Sequence, residues 1–201
     1  MNKLNIFTYT NKEYLGYVTS YLLPSIPKSV RNIDIVYAAS FPELQHCQMI
    51  QRLEIMHDKI IEYINQPIAF LDADVIITRD FTDDVLDRLT KYDILFQDNT
   101  QWYNSGVWVA NCNTKVANLF VKFIEELERK SYELDQTIIW EVINKTDISH
   151  TKLPIEYFAG HFDQLKFPNF PKDMYLYHAT NTYTSEEKRA ALELVKNKFH
   201  I

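Results

Sequence analysis

The chain has 201 residues, 46% hydrophobic and 24% charged, which suits one α/β domain spanning 1–201 with a full core. A formal net charge of -6 argues against a nucleic-acid partner, which needs a basic face. Only three glycines occur (Gly16, Gly106, Gly160), so a Gly-rich phosphate loop and the P-loop and dinucleotide-binding readings that need one are excluded.

Two cysteines, Cys47 and Cys112, are too few for a disulfide framework and suit a reducing compartment. No apolar stretch approaches a membrane span, and no basic-then-apolar leader opens the chain. A soluble, cytoplasmic protein is expected. Asn144-Lys145-Thr146 matches a glycosylation sequon and is read as a chance match.

In chain order, Leu4 to Thr10 predicts a first strand, apolar and then polar at its exit. Asn11 is placed to cap a helix over 12–22 that Pro24 and Pro27 end. A second strand covers 33–38. From 42 to 64, Met49, Leu53, Met56, Ile60 and Ile64 recur at helical spacing. A third strand covers 67–72. Thr82 is placed to cap a helix over 83–90, and a strand follows at 93–96. Gly106 to Ala110 forms another strand, after which Asn113 or Thr114 caps a helix to Lys130. A helix over 134–144 and a short strand over 175–178 come next. Thr184-Ser185-Glu186-Glu187 is a capping box opening a helix to Phe199. Strands alternating with helices predict a mostly parallel sheet with helices on its faces, and ligands bind beyond the carboxyl ends of such strands.

The most telling segment is Ala69-Phe70-Leu71-Asp72-Ala73-Asp74-Val75-Ile76-Ile77. Carboxylates set in apolar sequence are costly unless paired or bound to a cation. On a strand, residues two apart share a face, so Asp72 and Asp74 are expected to project together at a strand end. Such a pair makes a hard oxygen site for Mg²⁺ or Mn²⁺ and, through the metal, for a phosphorylated ligand. Two solvated acids at a strand end are the plainer alternative.

The order of motifs resembles the nucleotide-diphospho-sugar transferases of the GT-A glycosyltransferase fold, and looks like the glycogenin-like and bacterial lipopolysaccharide galactosyltransferase-like enzymes and their relatives. Leu71 to Ile76 matches that family's DxD segment, and Arg79-Asp80-Phe81 resembles the turn after it. Asn104-Ser105-Gly106-Val107 resembles the Asn-x-Gly strand, Asp135-Gln136 falls at the Asp-Gln position, and Tyr177-His178-Ala179 resembles the late histidine motif. Two departures stand out: Ala179-Thr180-Asn181 replaces the usual glycine after the histidine, and the segment from Asp135 to His178 is short.

The resemblance implies a metal-dependent glycosyltransferase moving a sugar from a nucleotide-diphosphate donor, UDP by preference, to a saccharide hydroxyl. Asp72, Asp74 and His178 would hold the metal, with Asp72 shared between metal and ribose. Thr8, Tyr9 and Thr10 would meet base and ribose, and Arg52 the diphosphate. Lys59 is a second candidate there, with solvated helix charges the alternative for both. Asp98, Asn104 and Gln136 would lie near the donor sugar. Asp135 is the first candidate for the catalytic carboxylate and Asp163 the second. Trp102 and Tyr103 offer rings for sugar stacking, with packing the alternative. The short acceptor region suits a small saccharide or further domains outside the chain.

Two other classes are open. Phosphatases of the haloacid-dehalogenase type also place Asp-x-Asp after an apolar strand. They favour Thr or Val two residues after the second Asp, and the first strand; here Ile76 and the third strand stand instead. A non-catalytic nucleotide-sugar-binding module is the other.

Overall fold

The computed structural model describes residues 3–38, 44–99, 102–160, 170–180 and 184–201. Its centre is a six-stranded sheet of β1 (Asn5–Thr10), β2 (Asn32–Tyr37), β3 (Pro67–Leu71), β5 (Ile94–Asn99), β6 (Trp102–Asn111) and β7 (His150–Lys152), ordered β2-β1-β3-β6-β5-β7. Only β6 runs against the others. A second sheet, β4-β9-β8, joins β4 (Val75–Ile77), β8 (Tyr157–Ala159) and β9 (Leu176–His178). This is the expected single α/β domain with a mostly parallel sheet flanked by helices.

Strand alternation divides the core. Phe7, Phe70, Ile94 and Trp108 face α3 (Gln45–Glu62), α5 (Thr114–Arg129) and α6 (Asp135–Ile143). Leu4, Ile6, Leu71 and Val107 pack on the opposite side with Val85 of α4 (Thr82–Arg88). Because both faces are covered, β1 and β3 are buried along their whole length, and β3 reads as a continuous apolar run. A third cluster seats Ala191, Leu192 and Val195 of α7 (Ser185–Phe199) on Ile76 and Tyr177.

Several helix ends follow their sequence signals. Asn113 accepts the Val116 backbone N–H at 3.0 Å, and Thr184 and Glu187 form the capping box. Asn11 accepts the backbone N–H groups of Glu13 and Tyr14, opening α1 (Leu15–Tyr17), a π-helical turn (Val18–Leu22) and α2 (Leu23–Ser25). At α4 the expectation is corrected: Thr82 is the first helical residue, and Asp80 accepts its N–H at 3.0 Å. The β6 strand begins at Trp102 rather than Gly106, with a register shift between Phe96 and Gln97 on its partner.

Asp84 ties α4 to the second sheet, accepting Arg88 Nε at 2.8 Å and the Tyr157 hydroxyl at 2.7 Å. Burial pushes its carboxyl up, but these hydrogen bonds outweigh it and hold the group below its usual value. A depressed folded-state pKa gives stability that is present above the unfolded value, near about 3.9, and is lost as pH falls through the folded one. Asp84→Asn is therefore expected to cost about 1 kcal/mol at pH 7, allowing for solvent screening, with the gap to wild type closing below about pH 4. Urea unfolding at both pH values checks this; an undiminished gap in acid contradicts it.

Candidate active site

The β3 strand ends at Leu71, and Asp72-Ala73-Asp74 forms a turn into β4 rather than a strand end. The two acids therefore converge through a turn, not through strand alternation. The turn is fastened by the Asp72 N–H donating to the Gly106 carbonyl at 2.7 Å and the Ala179 N–H donating to the Asp74 carbonyl at 3.1 Å. In the β4–β9 ladder Val75 pairs with His178, which brings the late histidine onto the acids. His178 Nε2 lies 3.5 Å from Asp72 Oδ2 and 3.4 Å from Asp74 Oδ1. One ligand atom from each of the three lies within 4.8 Å of the others.

Gln97 fixes the imidazole. Its Nε2 donates to the Tyr157 carbonyl at 3.1 Å, which turns Oε1 toward His178 Nδ1 at 2.9 Å. That contact ties Nδ1 to Gln97 and turns Nε2 toward the two carboxylates, the nitrogen that would ligate a metal there. Two carboxylates and one imidazole are a donor set for Mn²⁺ or Mg²⁺, the nitrogen favouring Mn²⁺. Gly106 leaves the space: a Cβ there would lie 2.3 Å from both Asp72 Oδ2 and His178 Cε1. The residues present fit the metal.

Two basic side chains close on the acids. Arg52 of α3 donates through Nη2 to Asp72 Oδ1 at 2.8 Å and to the Ser105 carbonyl at 2.9 Å, and its Nη1 lies 3.9 Å from Asp135 Oδ2. Lys188, in the first turns of α7, donates to Asp74 Oδ2. Burial would raise the Asp74 carboxyl, but the His178 imidazole and the Lys188 ammonium outweigh it and hold it far below the usual range. At Asp72 burial prevails over Arg52, and the carboxyl sits above its ordinary value. The two acids are thus driven apart.

A cleft of about 380 Å³ opens over this cluster. Its lining includes Tyr9, Thr10 and Asn11 at the end of β1, Gln45 and Gln48 of α3, and Leu134, Asp135 and Gln136 at the start of α6. Tyr9 donates its hydroxyl to Gln51 Oε1 at 3.0 Å, which leaves its ring to line the cleft. Asp135 is the first residue of α6; its Oδ1 accepts the Gln136 N–H at 2.8 Å, while Oδ2 faces Arg52. Gln136 also accepts from Asn99 Nδ2 at 3.2 Å.

Not every expected residue reaches the cleft. Thr8 is enclosed and absent from its lining, because alternation turns it from the Tyr9 face to the Ile6 face of β1. Asp98 points away from Gln97 and pairs with Lys152 at 2.6 Å. Lys59 pairs with Asp34 at 2.9 Å and Glu62 at 2.8 Å, outside the lining residues. Asn104 is buried beside the cluster, its Oδ1 accepting the Gly106 N–H at 2.7 Å. Tyr103 is buried in the core, and Trp102 is part-exposed. Asp163 lies outside the described residues.

Lys188 and Gln97 were missed from the sequence. Lys188 is one cation in Glu186-Glu187-Lys188-Arg189, which reads as an ordinary solvated helix face. Lys188→Met leaves the buried Asp74 charge without its ammonium. Without metal this is expected to cost about 2 kcal/mol, or about 6 °C in Tm, and the deficit should shrink when Mn²⁺ is added. Scanning calorimetry in EDTA and in Mn²⁺ checks this; equal deficits in both contradict it.

A family model described as nucleotide-diphospho-sugar transferase matches residues 45–192, and the chain belongs to that family of enzymes. The match includes Asp72, Asp74, Asp135, His178 and Lys188, and it sets aside the phosphatase and non-catalytic readings. No curated protein matches the chain. Among solved structures, a glycosyltransferase involved in the glycosylation of the major capsid of PBCV-1 is similar at 12% identity and TM-score 0.71, over 95% of this chain and 98% of that one. The apo-form glycosyltransferase GlyE of Streptococcus pneumoniae TIGR4 is similar at 12% identity and TM-score 0.67, over all of this chain and 63% of that one. The bifunctional glycosyltransferase WbbM is similar at 12% identity and TM-score 0.62, and this chain covers 46% of it. At these identities the likeness is one of fold.

Proposed function

We propose that this chain is a metal-dependent glycosyltransferase that moves a sugar from a UDP-sugar to a hydroxyl of a saccharide acceptor. The observation that carries the reading is the convergence of Asp72, Asp74 and His178 at a cleft that Asp135 also lines, one Arg52 guanidinium away from Asp72. The diphosphate leaving group gains negative charge as its bond to the sugar breaks. Asp72, Asp74 and His178 would hold a divalent cation, which would offset that charge and make a protonated leaving group unnecessary. Asp74 would be the direct ligand, Asp72 would be shared with the ribose, and His178 would supply a nitrogen fixed by Gln97.

The chain's own cations act on the same charge. Arg52 and Lys188 line the cleft and stand next to the acids, so each adds positive potential where the diphosphate lies. Tyr9 and Thr10 border the nucleotide end, and Gln136 and the buried Asn104 the sugar end. Asp135 faces the reacting carbon. If the reaction inverts, its carboxylate takes the acceptor proton; if it retains, it stabilises the oxocarbenium-like sugar.

Among the described residues no helix is long and apolar enough to cross a membrane. Both cysteines are unpaired, which suits a reducing, cytoplasmic setting. UDP release from UDP-glucose, UDP-galactose and UDP-N-acetylglucosamine, with Mn²⁺ and with EDTA, tests the proposal. Release from at least one donor in Mn²⁺ alone is expected. Activity confined to simple phosphate esters contradicts it.

A further inference from the structure

The outermost described pair of the β5–β6 ladder, Asn99 and Trp102, holds an aromatic side chain that the proposed reaction does not yet use. In the ladder Gln97 pairs with Asn104 and Asn99 with Trp102, so these four residues share one face. Gln97 holds His178 at 2.9 Å, Asn104 sits against Gly106 beside Asp72, and Asn99 donates to Gln136 on the cleft wall at 3.2 Å. Trp102 stands at the outer end of that face. It lies two residues, about 7 Å, beyond Asn104, roughly one sugar ring farther from the metal ligands.

Trp102 is 37% exposed and, among the described residues, packs against Trp140. Its ring meets Trp140 edge-on at 6.3 Å and 90°, and Trp140 packs in turn on the buried Tyr103 at 5.2 Å. A second observation points the same way. Asn104 Nδ2 is buried without a hydrogen-bond partner, a donor left over on the face between the metal ligands and Trp102. A rigid aromatic plane beside amide groups suits a pyranose, whose apolar face stacks while its rim hydroxyls bond the amides.

We infer that Trp102 is the acceptor platform, taking the apolar face of a neutral saccharide whose reacting hydroxyl lies toward Gln136 and Asp135. The inference rests on the donor reading above. Gln136 lines the cleft and is held by Asn99, the residue that pairs with Trp102 in the ladder. Trp102 thus borders the Gln136 end from outside the lining residues, where an incoming sugar rather than the donor would meet it.

A glycan microarray probed with wild type, Trp102→Phe and Trp102→Ala, each with UDP and Mn²⁺, tests the inference. Wild type is expected to bind a set of neutral glycans, Trp102→Phe to keep most of that binding, and Trp102→Ala to lose at least tenfold. The Tm rise given by UDP with Mn²⁺ should be the same in all three, which also shows that the variants fold. Undiminished glycan binding by Trp102→Ala overturns the inference, as does a wild type that responds to UDP and Mn²⁺ but binds no glycan. A wild type that does not respond to UDP and Mn²⁺ overturns the donor reading itself.

Discussion

Asp74→Asn is expected to lower sugar transfer at least about a thousandfold while leaving the chain folded. The site meets the charge of the leaving diphosphate with a cation held by three ligands. Removing the most buried anionic one forfeits several kcal/mol, of which about 4 kcal/mol corresponds to a thousandfold. Among the three, Asp74 is the acid whose carboxyl is held most firmly charged, by His178 and Lys188 together. Its backbone contribution, the carbonyl that accepts the Ala179 N–H at 3.1 Å, survives the substitution. Initial rates of UDP release with saturating Mn²⁺ check this, alongside circular dichroism. A variant retaining a tenth of wild-type activity contradicts the assignment.

The second large effect comes from a residue that carries no functional group. Gly106→Ala is expected to weaken Mn²⁺ binding and transfer by about a hundredfold or more. The new Cβ would stand 2.3 Å from Asp72 Oδ2 and from His178 Cε1, closer than real Cβ contacts come. Neither neighbour yields freely, since Arg52 holds Asp72 at 2.8 Å and Gln97 holds His178 at 2.9 Å. A shift of about 1 Å in a ligand costs on that order. No described glycine has a positive φ, so alanine suits the backbone and the loss is one of space. Mn²⁺ titration by electron paramagnetic resonance separates this from unfolding. Wild-type affinity in Gly106→Ala contradicts this packing.

How far the sequence foretold this site follows from how local each signal is. Asp72 and Asp74 stood out because carboxylates in an apolar run need a partner or a cation, and the structure brings them together with His178. The α/β class followed from alternating strand and helix patterns, and the capping box at Thr184 marked the start of α7 within one residue. What stayed hidden depends on pairing between distant segments. The three-residue strands β4, β7 and β8 are too short to show a period of their own.

The same limit applies to individual residues. Gln97 gains its role only because β8 and β9, from far along the chain, bring the Tyr157 carbonyl and His178 against it. Lys188 is 114 positions from Asp74 and sits on a helix face that looks solvated in one dimension. Thr8 and Asp98 were polar residues near strand ends, a pattern that does not say which face each takes. Strand alternation sends one into the sheet's far side and the other to Lys152.

Everything proposed for the site depends on Asp72, Asp74 and His178 anchoring a nucleoside diphosphate through a divalent cation. The most direct measurement is the Tm of wild type and Asp74→Asn with UDP, Mn²⁺, both, or neither. Ligand that binds only the native state raises Tm by mass action, about 2.7 kcal/mol at a hundred times Kd. UDP is expected to raise the wild-type Tm when Mn²⁺ is present and not in EDTA, and Asp74→Asn to abolish the rise. If no nucleoside diphosphate shifts the wild-type Tm in Mn²⁺, or if UDP does so equally in EDTA, the metal-anchored diphosphate site is contradicted.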